Sequence, residues 1–319
     1  MKAARRGRGG ARGAAIVMAL LIVTLATVLV SGLYWGQSVL ARSVENRQAS
    51  VQARWLLRGA LDWARLILRE DARTSATDHL GEPWAVPIES TRLDDDGGGE
   101  PAWLSGSIED AQSRFNLANL VAGRQPVARE VESLQRLLAN IGLSESIADT
   151  IVVRMQLAQP EPVAGATPGA AAASAPAPQG KPAVLTGLID VDDLLGENGL
   201  EAAVVERLRP FVTVLPEPTP VNANTAPAEV LAARIDGLSL SQARTLVASR
   251  DRLTFKDRED VLKRLPQISL TASDADVSVS TRYFLVRGTV NYRRAEVRLL
   301  ALVSRVQGAT DVVWQREPL

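Results

Sequence analysis

"RGRGGARGAAIVMALLIVTLATVLVSGLYWGQ", Arg6 to Gln37, decides how the rest of the chain is read. From Ala14 onward no charge interrupts the run until Arg42. That exceeds the ~20 apolar residues a helix needs to cross a bilayer and the ~7–15-residue apolar core of an ordinary cleaved secretory signal. The run is therefore expected to stay in the mature protein as a membrane-spanning helix over residues 14–41. Lys2, Arg5, Arg6, Arg8 and Arg12 precede it with no acid among them, which keeps the amino terminus on the cytoplasmic side and sends the body outward. Tyr34 and Trp35 fall near the far end, where aromatic rings favour the interface.

An ordinary secretory signal is cut after its apolar core, at small residues, whereas here Gly13 stands before the run, directly behind Arg12. A short basic leader, a glycine and a retained apolar helix resemble a type IV prepilin signal. The resemblance implies a membrane prepilin peptidase that cuts after Gly13 and methylates the new amino terminus, Ala14. Met18 then becomes the fifth residue, where most pilins and major pseudopilins carry glutamate.

The helix is expected to continue beyond the membrane, with no Pro between Ala14 and Arg73. Leu56, Ala60, Trp63 and Ile67 form one stripe at helical spacing, flanked by Leu57, Leu61, Ala64 and Leu68. Arg54, Arg58, Asp62, Arg65 and Arg69 fall on the opposite face, where the spacing allows an Arg58–Asp62 pair. Further on, Ala85 to Ile88 and Leu104 to Ile108 are short apolar segments bounded by Gly, Pro and Ser, and read as strands. The last fifty residues are β-branched and alternating, predicting three or four antiparallel strands with Gly288 and Gly308 near turns.

Between these sheet segments lies a helical middle with an internal repeat. "NIGLSESIADTIVVR" (140–154) and "IDGLSLSQARTLVASR" (235–250) share Gly-Leu-Ser and then Ala148 with Ala243, Ile151 with Leu246 and Val152 with Val247. Each follows an apolar helix, Leu134 to Ile141 and Val230 to Ile235. In the second copy Thr225 is expected to cap the first helix with Pro227 in its first turn, and Ser239 with Gln242 to form a capping box. Both copies read as helix-hairpin-helix units. The Ala/Pro/Gly-rich segment 160–182 between them cannot build a packed core and reads as a flexible surface insertion.

Composition narrows the function. The 319 residues hold 36 basic and 36 acidic side chains, and the leader takes five of the basic ones, so the body is mildly acidic, which argues against a polyanion partner. With no cysteine, disulfides, thiol catalysis and cysteine metal sites are excluded. His79 is the only histidine and lies far from any nucleophile motif, so an enzyme is the class least supported. Asp94, Asp95 and Asp96 offer oxygens to a hard cation such as calcium, with a solvated turn as the competing reading. Helix-hairpin-helix units often bind DNA, as in competence proteins outside the inner membrane. Here the second hairpin has the single glycine Gly237 and places Asp236 where a phosphate would approach, so no nucleic acid is expected.

"LLRGALDWARLILREDAR" (56–73), "DHLGEPWAVPI" (78–88), "GSIEDAQSRFNLANL" (106–120), "VTVLPEPTPVNANTAPAEVLAA" (212–233) and the sheet-forming end together resemble the K-type minor pseudopilin family of type II secretion systems, along nearly the whole chain. "RFNLANL" and "VNANTAP" are its most specific parts. The resemblance implies an α+β class, a pilin fold with a long amino-terminal helix on an antiparallel sheet and a large all-α insertion of helix-hairpin-helix or SAM-like units. The implied division is leader 1–13, transmembrane helix 14–41, pilin-like part 42–118, inserted helical domain 119–268 and carboxyl-terminal strands 269–319. It implies a subunit without enzymatic activity, anchored once in the bacterial inner membrane with its body in the periplasm, at the tip of the pseudopilus. There it would nucleate assembly and support export of folded proteins. The implied partners are the I- and J-type minor pseudopilins, the major pseudopilin and the prepilin peptidase. Some relatives hold calcium beside an Asp-rich segment after the first hairpin helix. Here "RMQLAQPEPVAGATPG" (154–169) stands in that place, so the resemblance assigns calcium no ligands.

Overall fold

A computed structural model describes residues 10–93, 100–159, 188–196, 199–265 and 276–318. Asp94, Asp95, Asp96 and segment 160–182 lie outside the described residues. Helix α1, Gly10–Thr74, runs unbroken for 65 residues, about 98 Å at 1.5 Å per residue. Its Gly13–Gly32 stretch has a mean hydropathy of 2.7 and buries nothing against the rest of the chain. Over its second half α1 lies across a five-stranded antiparallel sheet in the order β1 (Ile88–Leu93), β2 (Ala102–Asp110), β3 (Tyr283–Tyr292), β4 (Ala295–Val306) and β5 (Ala309–Arg316).

Two apolar clusters fasten the helix to the sheet. Ala53 and Leu57 meet Ala102, Leu104, Val290 and Val297, and farther along Leu61, Ala64 and Leu68 meet Trp84, Phe284, Val286, Ala301 and Val303. Trp84 and Phe284 pack edge to face at 5.2 Å between centroids, a geometry aromatic quadrupoles favour. The buried stripe therefore centres on the residues expected to flank it, and Trp63, expected inside, is 48% exposed. Periodicity locates an apolar face to within a turn, but contact with the sheet residues decides its centre. Arg58 lies over the Trp55 ring, and the partner of Asp62 is Arg65, at 3.1 Å.

Ala85 belongs to a 3-10 turn, Pro83–Ala85, and the strand begins only at Ile88, because the buried Trp84 turns the chain under α1. Gly288 is no turn residue. It lies within β3, directly opposite Gly106 of β2, and an added Cβ would stand 3.0 Å from the Leu57 side chain, so the missing side chain lets α1 close on the sheet. The β4–β5 hairpin turns on Gln307 and Gly308, both at positive φ, as a tight primed turn requires.

The chain leaves the sheet after Asp110 and returns at Tyr283, pairing Asp110 with Phe284 in adjacent strands. Between them lies a helical body: α2 (Ala128–Asn140), α3 (Ile147–Ala158), α4 (Ala202–Leu208), α5 (Ala228–Arg234), α6 (Leu240–Arg250) and α7 (Arg258–Lys263). Its core includes Leu134, Leu137, Ile151, Met155, Leu231 and Phe255. The two repeated segments form helix pairs, α2–α3 and α5–α6, and Gly142 and Gly237 supply the left-handed residue at each turn, a conformation that favours glycine. Ser239 and Gln242 make the capping box at α6. Pro227 is the cap residue of α5 and the Thr225 hydroxyl caps nothing there.

An added methyl at Gly106 would meet the Arg287 carbonyl oxygen at 2.7 Å, whereas one at Gly59 on α1 meets nothing within 4 Å. Gly106→Ala is expected to lower stability by about 1–3 kcal/mol and Gly59→Ala to raise it by up to about 1 kcal/mol. Thermal unfolding of the purified protein, followed by circular dichroism, reads both.

Candidate functional site

Gly13, Ala14 and Met18 sit on the first turns of α1, on exposed helix surface. Met18 is 66% exposed, and the chain carries no carboxylate from the leader to Glu45. Both threonine hydroxyls within the span are satisfied by the helix itself. The Thr24 hydroxyl donates to the Leu21 carbonyl at 2.9 Å and that of Thr27 to Val23 at 2.8 Å. A surface of this kind is suited to hydrocarbon, where every polar group must be paired internally.

The second feature is the junction where the helical body joins the sheet. Here the segments "RFNLANL" and "VNANTAP" run as buried backbone with only two-residue parallel pairings, Phe115–Asn116 with Val212–Thr213 and Val221–Asn222 with Val277–Ser278, so the remaining N–H and C=O groups must find other partners. Asparagine side chains supply them. Asn116 donates to the Glu217 carbonyl at 2.8 Å and accepts from the amides of Ala118 and Leu215 at 3.0 and 3.1 Å. Asn119 holds Thr219 from both sides, donating to its carbonyl and accepting from its amide at 2.9 Å each. Asn224 does the same for Phe255, at 3.0 and 2.8 Å.

Asn222 and Asp110 tie that lattice to the sheet. Asn222 is fully buried and donates to the Asp78 carbonyl at 3.0 Å and to Asp110 Oδ2 at 2.8 Å. The Thr225 hydroxyl donates to the same Oδ2 at 2.5 Å, which is why it is not free to cap α5. Asp110 Oδ1 accepts from the Gln112 amide at 2.7 Å. Burial pushes the Asp110 carboxyl up to about 6 even against these donors. Neighbouring Asp71 and Asp78 are both raised by burial, although Arg305 reaches each of them. Arg305 donates to Asp71 Oδ2 at 2.7 Å and to Asp78 Oδ1, with its guanidinium over the Phe284 ring at 4.6 Å. Glu82 accepts from the Trp84 indole at 2.7 Å and from the His79 amide at 2.9 Å.

Asp71, Asp78 and Glu82 bring carboxylate oxygens within 4.8 Å of one another. Because Arg305 bridges the first two, the chain's own cation serves this cluster. His79 accepts from the Gly81 amide through Nδ1 at 3.1 Å, a local turn contact. The sequence pointed to Asn116, Asn119, Asn222 and Asn224 only as motif letters. Asp78 and Asp110 likewise stood only as motif letters, and the role of Arg305 carried no local signal.

The turn of the second hairpin is occupied by internal contacts. Asp236 pairs with Arg136 at 2.7 Å, the Leu238 amide donates to Ile235, and the Ser239 amide donates to Gln242 Oε1 at 3.0 Å. In the first hairpin Arg207 donates to the carbonyls of Ile141 and Gly142. These contacts hold the turns of both helix pairs against the rest of the helical body.

Residues 113–217 and 221–282 each match a sequence family described as Type II secretion system (T2SS), protein K, and the two matches meet within the junction. Type II secretion system protein K of Pseudomonas aeruginosa is 34% identical over 315 residues, spanning 95% of this chain and 91% of the relative. That of Klebsiella pneumoniae is 28% identical, spanning 96% and 95%. Among solved structures, a chain from the crystal structure of the GspK-GspI-GspJ complex of the enterotoxigenic Escherichia coli type 2 secretion system superposes with a TM-score of 0.65 at 19% identity. It spans 86% of this chain and 99% of that one, which shows a shared fold.

Since the folded-state carboxyl of Asp110 lies near 6, above its unfolded value, the native state holds that proton more tightly. Its stabilising share is complete below about pH 4 and is lost as pH rises through about 6. The stability advantage of wild type over Asp110→Asn is therefore expected to shrink by roughly 2–3 kcal/mol between pH 4 and pH 7, measured by denaturant unfolding across that range.

Proposed function

The chain belongs to the type II secretion system protein K family, and on that premise we propose a mechanism for it as a minor pseudopilin, a structural subunit of the secretion machinery. The observation that carries the proposal is the continuity of α1: one helix whose first half suits a bilayer and whose second half is the spine of an antiparallel sheet. In this reading the anchor lies in the bacterial inner membrane and the body in the periplasm. Leader 1–13 is removed by a prepilin peptidase between Gly13 and Ala14, and Ala14 is methylated. The chain divides into a pilin-like part, 42–118 with 269–319, and an inserted helical domain, 119–268, whose two helix pairs are helix-hairpin-helix units used for internal packing.

Met18 supports a place at the tip. A carboxylate at that position in other pilin-type subunits has a reason to seek a neighbour's terminal amine, because an unpaired charge in hydrocarbon costs several kcal/mol, about 2.5–3.5 on insertion scales. Met18 has no charge to neutralise. The Ala14 amine can still accept pairing from a glutamate on another subunit. The helical body joins the sheet beside the end of α1 farthest from the membrane span, where Asp78 bonds Asn222, and there it would obstruct a further subunit from stacking above. A single copy then caps the pseudopilus, with I- and J-type minor pseudopilins beside it and the major pseudopilin below, supporting export of folded proteins across the outer membrane.

Mass spectrometry of the protein from membranes is expected to find methylated Ala14 as the amino terminus, with Gly13→Ala slowing or blocking cleavage. An intact Met1, or a terminus beyond Ser31, would remove the prepilin reading. In purified pseudopili, immunogold labelling is expected at one end only. Label at regular intervals along the shaft would defeat the tip assignment.

A further inference from the structure

On the periplasmic half of α1 one short pattern recurs three times: "VENR" (44–47), "WLLR" (55–58) and "LILR" (66–69). Each unit is an apolar residue followed three positions later by arginine, and the units repeat every 11 residues. At 3.6 residues per turn 11 residues make just over three whole turns, so the pattern stays on one face of a nearly straight helix. That face is open. Val44, Trp55 and Leu66 are 54%, 64% and 55% exposed, on the side away from the residues that α1 buries against the sheet, such as Leu57, Leu61, Ala64 and Leu68.

The charges on this face are only partly answered. Arg54 pairs with Glu317 at 3.0 Å and Arg65 with Asp62. Arg47, Arg58 and Arg69 meet no carboxylate among the described residues, and Arg58 rests on Trp55. We propose that this face docks an acidic, amphipathic helix of a neighbouring pilin-like subunit, whose carboxylates pair with Arg47, Arg58 and Arg69 and whose apolar side chains cover Val44, Trp55 and Leu66. The inference rests on the minor pseudopilin reading and adds the chemistry of the partner. A parallel second copy does not fit, because it would set arginine against arginine. A lipid surface does not fit the face as a whole either, since along the helix Arg58 lies about 26 Å and Arg69 about 42 Å beyond residue 41, where the expected membrane span ends.

Because the chain has no cysteine, a benzophenone probe on Arg58→Cys reports on this face alone in the full-length protein, co-expressed with its I- and J-type subunits. The probe is expected to cross-link to a long helix of one of them. Arg58→Glu combined with Arg69→Glu is expected to weaken that complex about ten-fold and to remove its salt dependence, with the melting temperature unchanged, since neither arginine has a carboxylate partner within the chain. A complex that forms normally despite the double reversal overturns this proposal and leaves the minor pseudopilin reading standing. So does an unchanged complex alongside lost binding to phosphatidylglycerol vesicles. Failure of the wild-type chain to bind either subunit removes the reading beneath it, and the docking face with it.

Discussion

The structure depends on one covalent constraint: a chain that leaves a sheet at Asp110 must come back beside it at Phe284, in the neighbouring strand, after building a whole helical body in between. The exit and the return therefore crowd into the same few ångströms. Backbone there forms only two-residue parallel pairs, Phe115–Asn116 with Val212–Thr213 and Val221–Asn222 with Val277–Ser278, and the rest cannot be left unpaired, since it is buried. Asparagine suits this task because one side chain both donates and accepts. Asn119 and Asn224 each clasp a single residue in both directions, and Asn222 reaches from the helical body to Asp78 and Asp110. Both segments lie within the residues that match the family, and they carry out this satisfaction of buried backbone.

Around that point the chain gathers more acid than base. Asp71, Asp78, Glu82 and Asp110 are all buried, and Arg305 of β4 is the cation that reaches in among them. Removing a carboxylate from water raises its affinity for protons, and hydrogen bonds or a guanidinium only partly oppose that. Arg305 is held in place by three different elements: the end of α1 through Leu68 and Asp71, the loop after it through Asp78, and the Phe284 ring of β3. It joins the end of the long helix to the sheet and, through Asp78 and Asn222, to the inserted body. A rigid link of this kind is what a subunit needs if it is to hold a large helical domain at the end of a single long helix.

Much of the architecture is written locally. An uncharged run longer than a bilayer, followed by helical spacing without proline, specifies one continuous helix, and α1 runs from Gly10 to Thr74. The β-branched end specifies strands, with Gln307 and Gly308 closing the last hairpin. Ser239 and Gln242 specify the start of α6, because a capping box involves only neighbours. Where local rules offered more than one choice, tertiary contacts decided. The Thr225 hydroxyl is drawn to Asp110, Asp62 pairs with Arg65 because Arg58 stacks on Trp55, and Gly288 serves a close helix-to-sheet approach in mid-strand where composition alone suggested a turn.

What the sequence by itself determined is the long first helix with its apolar first half, the strands of the carboxyl-terminal end, the two helix pairs and the family, because each follows from composition, periodicity and motifs within a few turns of chain. Only the tertiary structure decided which face of α1 is covered, which carboxylates are buried together and how the helical body is fixed to the sheet. The Thr281 amide bonds Asp78 across 203 residues of sequence. No periodicity encodes such a contact; it exists only once the intervening core has packed and brought the two ends of the excursion together.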